Sequence, residues 1–227
     1  MLVKNLGKID NYEKQIDTAF SRASKHVEEF REKVKGKDRI VKSKTLEIER
    51  VKAVKKELVS SLERIFDSNP KFDELHPFYI EIISLYHDVG KLRKSLAATQ
   101  WAKKKIERLE HGQTLLIKKA ISVKDINPLR NAFLGRVNSI MKQISKDFLL
   151  LEEFRRFTRW LPAIKTGIFT VCISGFPNVG KSTLLSKISS AKPEIDSYAF
   201  TTRRLNLGYI KKEIQLIDTP GTLNRFN

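Results

Sequence analysis

A single cysteine, Cys172, occurs in 227 residues, so no internal disulfide framework can form and the chain fits a reducing compartment. Nowhere do about 18 apolar residues run together, and the N-terminal MLVKNLGKIDNYEK lacks the apolar core of a secretory signal. The chain therefore reads as soluble and cytoplasmic. Histidine is scarce as well: His26, His76, His87 and His111 are all there are. His87-Asp88 has no second acid–His pair to complete a metal-hydrolase centre, and an interhelical or surface hydrogen bond is the expected role. No internal repeat or low-complexity tract occurs. Acidic side chains are in deficit, 26 against 44 Lys and Arg, giving a net charge of +18 and a pI near 9.9. A surface of that kind attracts polyanions. Charge alone does not separate nucleic acid from an anionic membrane.

What is present suffices for a core, with 41% hydrophobic residues. The pattern changes near Leu161–Gly167, where Pro162 and Gly167 both stop a helix. We place domains at 1–165 and 166–227. In the first, Val51, Val54, Leu58, Leu62 and Ile65 step by three and four residues, predicting a helix from about Ser43 to Phe66 that ends at Asn69-Pro70. His76-Pro77 starts another, whose stripe Leu85, Val89, Leu92, Leu96 continues through Trp101 despite Gly90. A third opens at Asn127-Pro128 and places Phe133, Val137, Ile140, Ile144, Phe148 and Leu151 on one face. Antiparallel helices that bury these stripes against one another form a bundle.

The charge is densest over residues 90–146, with 14 basic side chains against Glu107, Glu110 and Asp125. That excess is too one-sided for Glu–Lys pairing to neutralise, and it predicts a face that binds backbone phosphates with steep salt dependence. The helices offer no strongly apolar insertion face beyond the bundle core, which ranks a membrane below nucleic acid. Trp101, beside Lys103–Lys105, is expected in the bundle core, with stacking on a base as the alternative.

The most specific signal begins at Ile168. A β-branched run, Ile168–Ser174, leads directly into Gly175-Phe176-Pro177-Asn178-Val179-Gly180-Lys181-Ser182, and Thr183–Ile188 then reads as helix. This is G-x-x-x-x-G-K-[ST] in strand–loop–helix context. Gly175 and Gly180 let the backbone wrap so that N–H groups face phosphates, and the helix N-terminus adds its positive dipole end. Lys181 is expected to reach the β/γ-phosphates, and the Ser182 hydroxyl to meet Mg²⁺. A second strand run, Ile214–Ile217, ends in Asp218-Thr219-Pro220-Gly221. Asp218 is the expected acid that holds Mg²⁺ through water, and Gly221 offers an N–H to a γ-phosphate. Between them lies Tyr198–Arg203, whose Thr202, with Thr201 as the alternate, is expected on Mg²⁺ only when the third phosphate is present. Cys172, mid-strand, is expected to be buried in the sheet.

GFPNVGKSTLL, then AKPEIDSYAFTTRRLNLGYI, then DTPG resembles the Obg-like group of translation-factor-related P-loop GTPases. The segment HPFYIEIISLYHDVGKLRKSLA resembles more narrowly the helical N-terminal domain of Nog-type nucleolar GTP-binding proteins and their archaeal relatives. The resemblance covers nearly the whole chain and is weakest over the first 60 residues. It implies an α/β chain overall: an antiparallel helical bundle, then an incomplete Rossmann-like GTPase domain. It also implies a GTPase that binds GTP/GDP with Mg²⁺ and acts as an assembly factor of the large ribosomal subunit, with ribosomal RNA and the large-subunit precursor as partners. The location would be cytoplasmic, or nucleolar in a eukaryote. On this resemblance Gly175, Asn178, Val179, Gly180, Lys181, Ser182 and Thr183 surround the nucleotide with Thr201, Thr202, Asp218 and Gly221. Lys181, Thr202 and Gly221 act in catalysis. Ser182, Thr202 and Asp218 hold the metal. Asn178 stands where K⁺-requiring relatives place an Asn near the bridging oxygen, so K⁺ is a further candidate cofactor.

Thr222 occupies the position at which Ras-like proteins carry the Gln that orients water, which implies slow intrinsic hydrolysis. No N-K-x-D base-reading motif occurs in the chain. For these 227 residues alone that predicts weak, poorly base-selective nucleotide binding and little turnover, with the strand near Ile168 left at a sheet edge. The alternative to a GTP-dependent factor is a non-catalytic ribosomal RNA scaffold whose truncated nucleotide domain serves for docking.

Overall fold

The computed structural model describes residues 7–34, 38–159, 164–189, 194–197, 204–211 and 213–218. Two compact units divide the chain, Val3–Arg155 and Arg156–Asn227.

The first unit is helical. Helix α1 (Tyr12–Arg31) starts where the Asn11 side chain accepts a hydrogen bond from the Lys14 N–H at 2.9 Å. Its buried stripe is Ile16, Ala19, Ala23 and Val27, whose two alanines let it lie close against α2 (Arg39–Ser68). Helix α2 is 30 residues, about 45 Å, long. It begins four residues before the expected Ser43, and it packs against α1, α4 and α5. Val51, Val54, Leu58, Leu62 and Ile65 are all buried, as their spacing predicts. Each such leucine contributes about 1.5–3 kcal/mol. At its end the Asn69 amide donates to the Ile65 carbonyl at 2.6 Å, satisfying one of the last-turn acceptors ahead of Pro70.

The next expected stripe is broken in two. Helix α3 (Pro77–Ser84) opens with Pro77 in its first turn, as its sequence predicts, and a separate helix, α4 (Val89–Lys119), follows. The Asp88 carboxylate accepts from the Lys91 N–H at 3.0 Å, so Asp88 caps a fresh helix instead of lying inside one. Leu85, in the break, is 78% exposed. The buried face of α4 starts at Leu92 and passes through Leu96, Thr99, Ala102 and Ile106. Steps of three and four along that face skip position 101. Trp101 is consequently 40% exposed, not in the core.

Helix α5 (Val123–Gln143) begins four residues before Asn127, and Pro128 lies inside it. The start is set by Ser122, whose N–H and hydroxyl both donate to the Asp125 carboxylate at 2.9 and 2.8 Å. Those two bonds hold the Asp125 carboxyl below its ordinary range. At Ile144 the backbone leaves helical geometry, and α6 (Ser145–Thr158) begins. Phe133, Val137, Ile144, Phe148 and Leu151 are buried as expected, while Met141 takes the place of half-buried Ile140.

Two polar pairs sit within this packing. Ser95 donates to Asp147 at 2.7 Å and ties α4 to α6. On α6 the Arg155 guanidinium grips Glu152 with two bonds, 2.7 and 2.8 Å, while the Ile9 N–H donates to the same carboxylate at 2.9 Å. Glu152 and Arg155 are buried, and the bond from Glu152 raises the Arg155 pKa. The His87 ring meets Phe154 edge-on at 5.6 Å, and burial pushes its pKa down against the pull of Glu153.

The second unit holds β1 (Phe169–Ile173), α7 (Lys181–Ile188), β2 (Glu194–Ser197), β3 (Arg204–Ile210) and β4 (Ile214–Asp218). Its sheet runs β1-β4-β3-β2. Strand β1 is parallel to β4, and β3 is antiparallel to both its neighbours. Among the described residues β1 lies at the edge, as expected for these 227 residues. Among the described residues only one helix, α7, lies on this sheet. Cys172 is accordingly exposed, against the expectation of burial: an edge strand covered on one face cannot hide it.

Candidate phosphate-binding site

The site is built on the parallel pair. Ile173 is in register with Asp218, so both strands end at the same level with their carboxyl ends side by side. In open α/β sheets that is where ligands bind. The chain leaves β1 at Ser174, makes the loop Gly175–Gly180 and enters α7.

Three loop residues take positive φ, Gly175 (153°), Asn178 (62°) and Gly180 (90°), the last as the N-cap of α7. Asn is among the few side chains that tolerate this region. Leu184 donates its N–H to the Gly180 carbonyl at 2.8 Å, so regular helix starts immediately behind the loop and its positive end faces the loop. The Lys181 ammonium reaches back over the loop and donates to the carbonyls of Gly175 (3.0 Å) and Phe176 (2.7 Å). Among the described residues no carboxylate pairs with it, so its full charge stays available to an anion. Val179 is 61% exposed at the loop tip, and Thr183 is exposed in the first turn of α7, its carbonyl accepting from Ser186.

Ser182 donates its hydroxyl to the Asp218 carboxylate at 2.5 Å, a charge-assisted bond. Asp218 is buried. The two side chains lie 36 positions apart and meet because α7 crosses the end of β4. Both offer hard oxygen, the donor type Mg²⁺ selects, so the pair fits that ion. Thr201, Thr202 and Gly221 lie outside the described residues.

Two positioning residues were not singled out in the sequence. Gly208 of β3 faces α7: a Cβ there would lie 2.8 Å from Leu185 Cδ1 and 2.9 Å from Ser189 Oγ. The helix that carries Lys181 and Ser182 therefore rests on a glycine, a role that an isolated Gly in a strand run signals. Just beyond the helix, Ser189 Oγ accepts from the Tyr209 N–H at 3.2 Å. Gln215, in the apolar run Ile-Gln-Leu-Ile, is fully buried. Its carbonyl accepts from the Lys165 N–H (2.9 Å) and the Tyr209 hydroxyl (3.3 Å), fixing the entry to β1 against β4.

The basic stretch lies on α4, α5 and α6 of the helical unit. Of its 14 cations, Lys91, Arg93, Lys103 and Arg130 make ion pairs, with Asp88, Asp73, Glu63 and Glu47. Among the described residues the others make none.

A family model described as the NOG1 N-terminal helical domain matches residues 5–165. A second, described as a 50S ribosome-binding GTPase, matches residues 170–227. The chain is 37% identical to an uncharacterised protein of Methanocaldococcus jannaschii, over 82% of this chain and 53% of that protein. It is 35% identical to Nucleolar GTP-binding protein 1 of Encephalitozoon cuniculi, over 82% of this chain and 36% of that one. With the protein of the same name from Drosophila melanogaster the identity is 33%, over 77% and 27%. The chain thus spans about half the length of the first of these relatives and less of the others.

Proposed function

Because the chain belongs to the family of the NOG1 N-terminal helical domain, we propose that it is a GTP-binding protein and slow GTPase that assists assembly of the large ribosomal subunit. Its basic helical domain, residues 1–165, binds ribosomal RNA and the subunit precursor. Its nucleotide domain, from residue 166, switches that binding. The observation that carries the reading is the hydrogen bond of Ser182 to Asp218 at the shared end of two parallel strands, behind a glycine loop closed by Lys181.

In this reading the loop N–H groups and the positive end of α7 hold the α- and β-phosphates. Lys181 turns its ammonium from the loop carbonyls to the β/γ-phosphates, exchanging two neutral acceptors for charged ones. Ser182 would hold Mg²⁺ directly and Asp218 through water; the bound ion supplies charge neutralisation of the phosphate oxygens. Thr202, with Thr201 as alternate, and Gly221 sense the third phosphate. Asn178, already in left-handed backbone, would offer its side-chain oxygen to K⁺, which would supply further positive charge at the phosphates. Guanine selectivity is supported by the family membership. The names of the eukaryotic relatives support a nucleolar location in a eukaryote; elsewhere the proposed location is cytoplasmic.

Differential affinity of the GTP and GDP states for RNA is what lets nucleotide drive the switch. The test compares GTP with ATP hydrolysis by the full natural protein, with and without large-subunit particles. Hydrolysis of GTP that rises with particles and is lost in Lys181→Ala is expected. No hydrolysis under any condition would favour a docking scaffold instead, and equal rates with ATP would refute guanine selectivity.

A further inference from the structure

An open groove of about 490 Å³ runs between helices α4 and α5. Trp101, Lys105 and Arg108 line it from α4 at steps of four and three, and Arg136, Ser139 and Gln143 from α5 at steps of three and four. Trp101 is the exposed tryptophan that helical phase turns out of the core, with the Lys105 ammonium 5.9 Å from its ring centroid. Among the described residues no carboxylate lines the groove, and Lys105, Arg108 and Arg136 make no ion pair. They are three of the ten cations of the basic stretch that no carboxylate matches among the described residues, and here they gather round an aromatic and aliphatic floor, Trp101 with Leu109 and Ile140. An apolar platform with three cations and two polar edge groups is thus concentrated in one place.

We propose that this groove captures one unpaired nucleotide of an RNA strand, its base stacked on Trp101 and its flanking phosphates on Lys105, Arg108 and Arg136. The proposal rests on the RNA-binding reading above and narrows it from general charge attraction to a single site and to unpaired RNA. The apolar floor of Trp101, Leu109 and Ile140 decides against a duplex: paired bases keep their faces inside the helix, and duplex RNA is read by shape through its phosphates and 2′-hydroxyls. Unpaired bases, by contrast, stack on aromatic side chains and present their edges for hydrogen bonding. The Ser139 hydroxyl donates to the Gly135 carbonyl at 3.0 Å, leaving its lone pairs to accept from a base. Gln143 offers both a donor and an acceptor. An acidic peptide would satisfy the three cations but would leave these edge groups and the flat Trp face without a planar partner.

The test uses the whole chain in a Trp160→Phe background, which makes Trp101 the only tryptophan. Fluorescence quenching and affinity are measured for an unpaired 12-mer RNA, its duplex form and polyglutamate, with unchanged circular dichroism as the folding check. Trp101→Ala is expected to weaken the unpaired RNA about 5- to 150-fold and to leave the duplex unchanged; Trp101→Phe retains most of the affinity. Arg108→Gln with Arg136→Gln lowers the slope of log affinity against log salt by about 0.7 for each phosphate no longer neutralised. If RNA binds but is indifferent to Trp101→Ala, or the duplex weakens as much as the single strand, the groove proposal is overturned while the RNA-binding reading stands. Polyglutamate held in place of RNA overturns the nucleotide assignment. No RNA binding at low salt overturns both readings.

Discussion

Adding one methyl group at Gly208 tests whether the phosphate loop owes its position to the sheet beneath it. A Cβ at Gly208 would stand 2.8 Å from Leu185 Cδ1, 2.9 Å from Ser189 Oγ and 3.1 Å from Ser189 Cβ, where ordinary van der Waals distance begins near 3.4 Å. Leu185 can turn aside. Ser189 is short, and its hydroxyl is tied to the Tyr209 N–H, so α7 must lift by about half an ångström to relieve the overlap. Overpacking of this kind costs about 1–3 kcal/mol. The lift carries Lys181 and Ser182 with it. Since a 1 Å misplacement can cost roughly 100-fold, nucleotide affinity in Gly208→Ala should fall on the order of tenfold. The assay is titration with a fluorescent guanine nucleotide, alongside thermal melting. Ser189→Gly removes the side-chain atoms that cannot move aside, so the alanine should cost measurably less in that background. Gly112→Ala on α4 is the control, because a Cβ there meets nothing within 4 Å; it should stabilise by about 0.5–1 kcal/mol through helix propensity. Unchanged melting and affinity in Gly208→Ala would refute the packing argument.

Other consequences can be checked in the same preparations. Glu152→Gln strips the buried Arg155 of its carboxylate and weakens the acceptor for the Ile9 N–H; urea unfolding should show a loss of about 3–5 kcal/mol, and a loss under about 1 kcal/mol would mean the pair is structurally idle. His87 has a folded pKa below its ordinary value because of burial. The unfolded chain therefore takes up the proton first, and stability present above about pH 6.5 declines as pH falls below it. Melting temperature should drop from about pH 7.5 to 5.5 less in His87→Gln than in the parent, and an equal drop would contradict the assignment. In the full natural protein Asn178→Gly keeps the left-handed backbone while deleting the amide, so nucleotide affinity should persist and the difference between K⁺ and Na⁺ in GTP hydrolysis should vanish. Retained K⁺ preference in that variant would remove Asn178 from any ion-binding role.

The phosphate loop was legible because its chemistry is a backbone requirement written in residue types. Glycines stand where φ is positive or the chain turns, a hydroxyl stands in the first turn of the helix behind the loop, and an acid stands where a strand ends. Stripes such as Val51–Ile65 were legible because period alone fixes a buried face. Helix breaks were not, since they depend on which of several polar residues caps. Pro77 opens α3 as expected, but Asp88 caps a second helix that the stripe had run together with it; Ser122 won over Asn127-Pro128, and the Ser122-x-x-Asp125 box was there to be read. Trp101 was misplaced because adjacency to an apolar stripe is not membership of it: one position is about 100° of rotation. Cys172 was misplaced because burial of a strand residue depends on what covers the sheet, which local sequence does not state. Gly208 and Gln215 carried visible signals, a glycine and an amide inside apolar strand runs, whose meaning emerged only from the elements packed on them.

The central claim is that nucleotide state controls the grip of the basic helical domain on RNA. Cosedimentation of the full natural protein with large-subunit precursor particles, compared in a non-hydrolysable GTP analogue, in GDP and without nucleotide, tests it most directly. The account predicts tighter association in the GTP-like state, loss of that difference in Lys181→Ala, and weakening with salt in every state. Association identical in all three nucleotide conditions would contradict it.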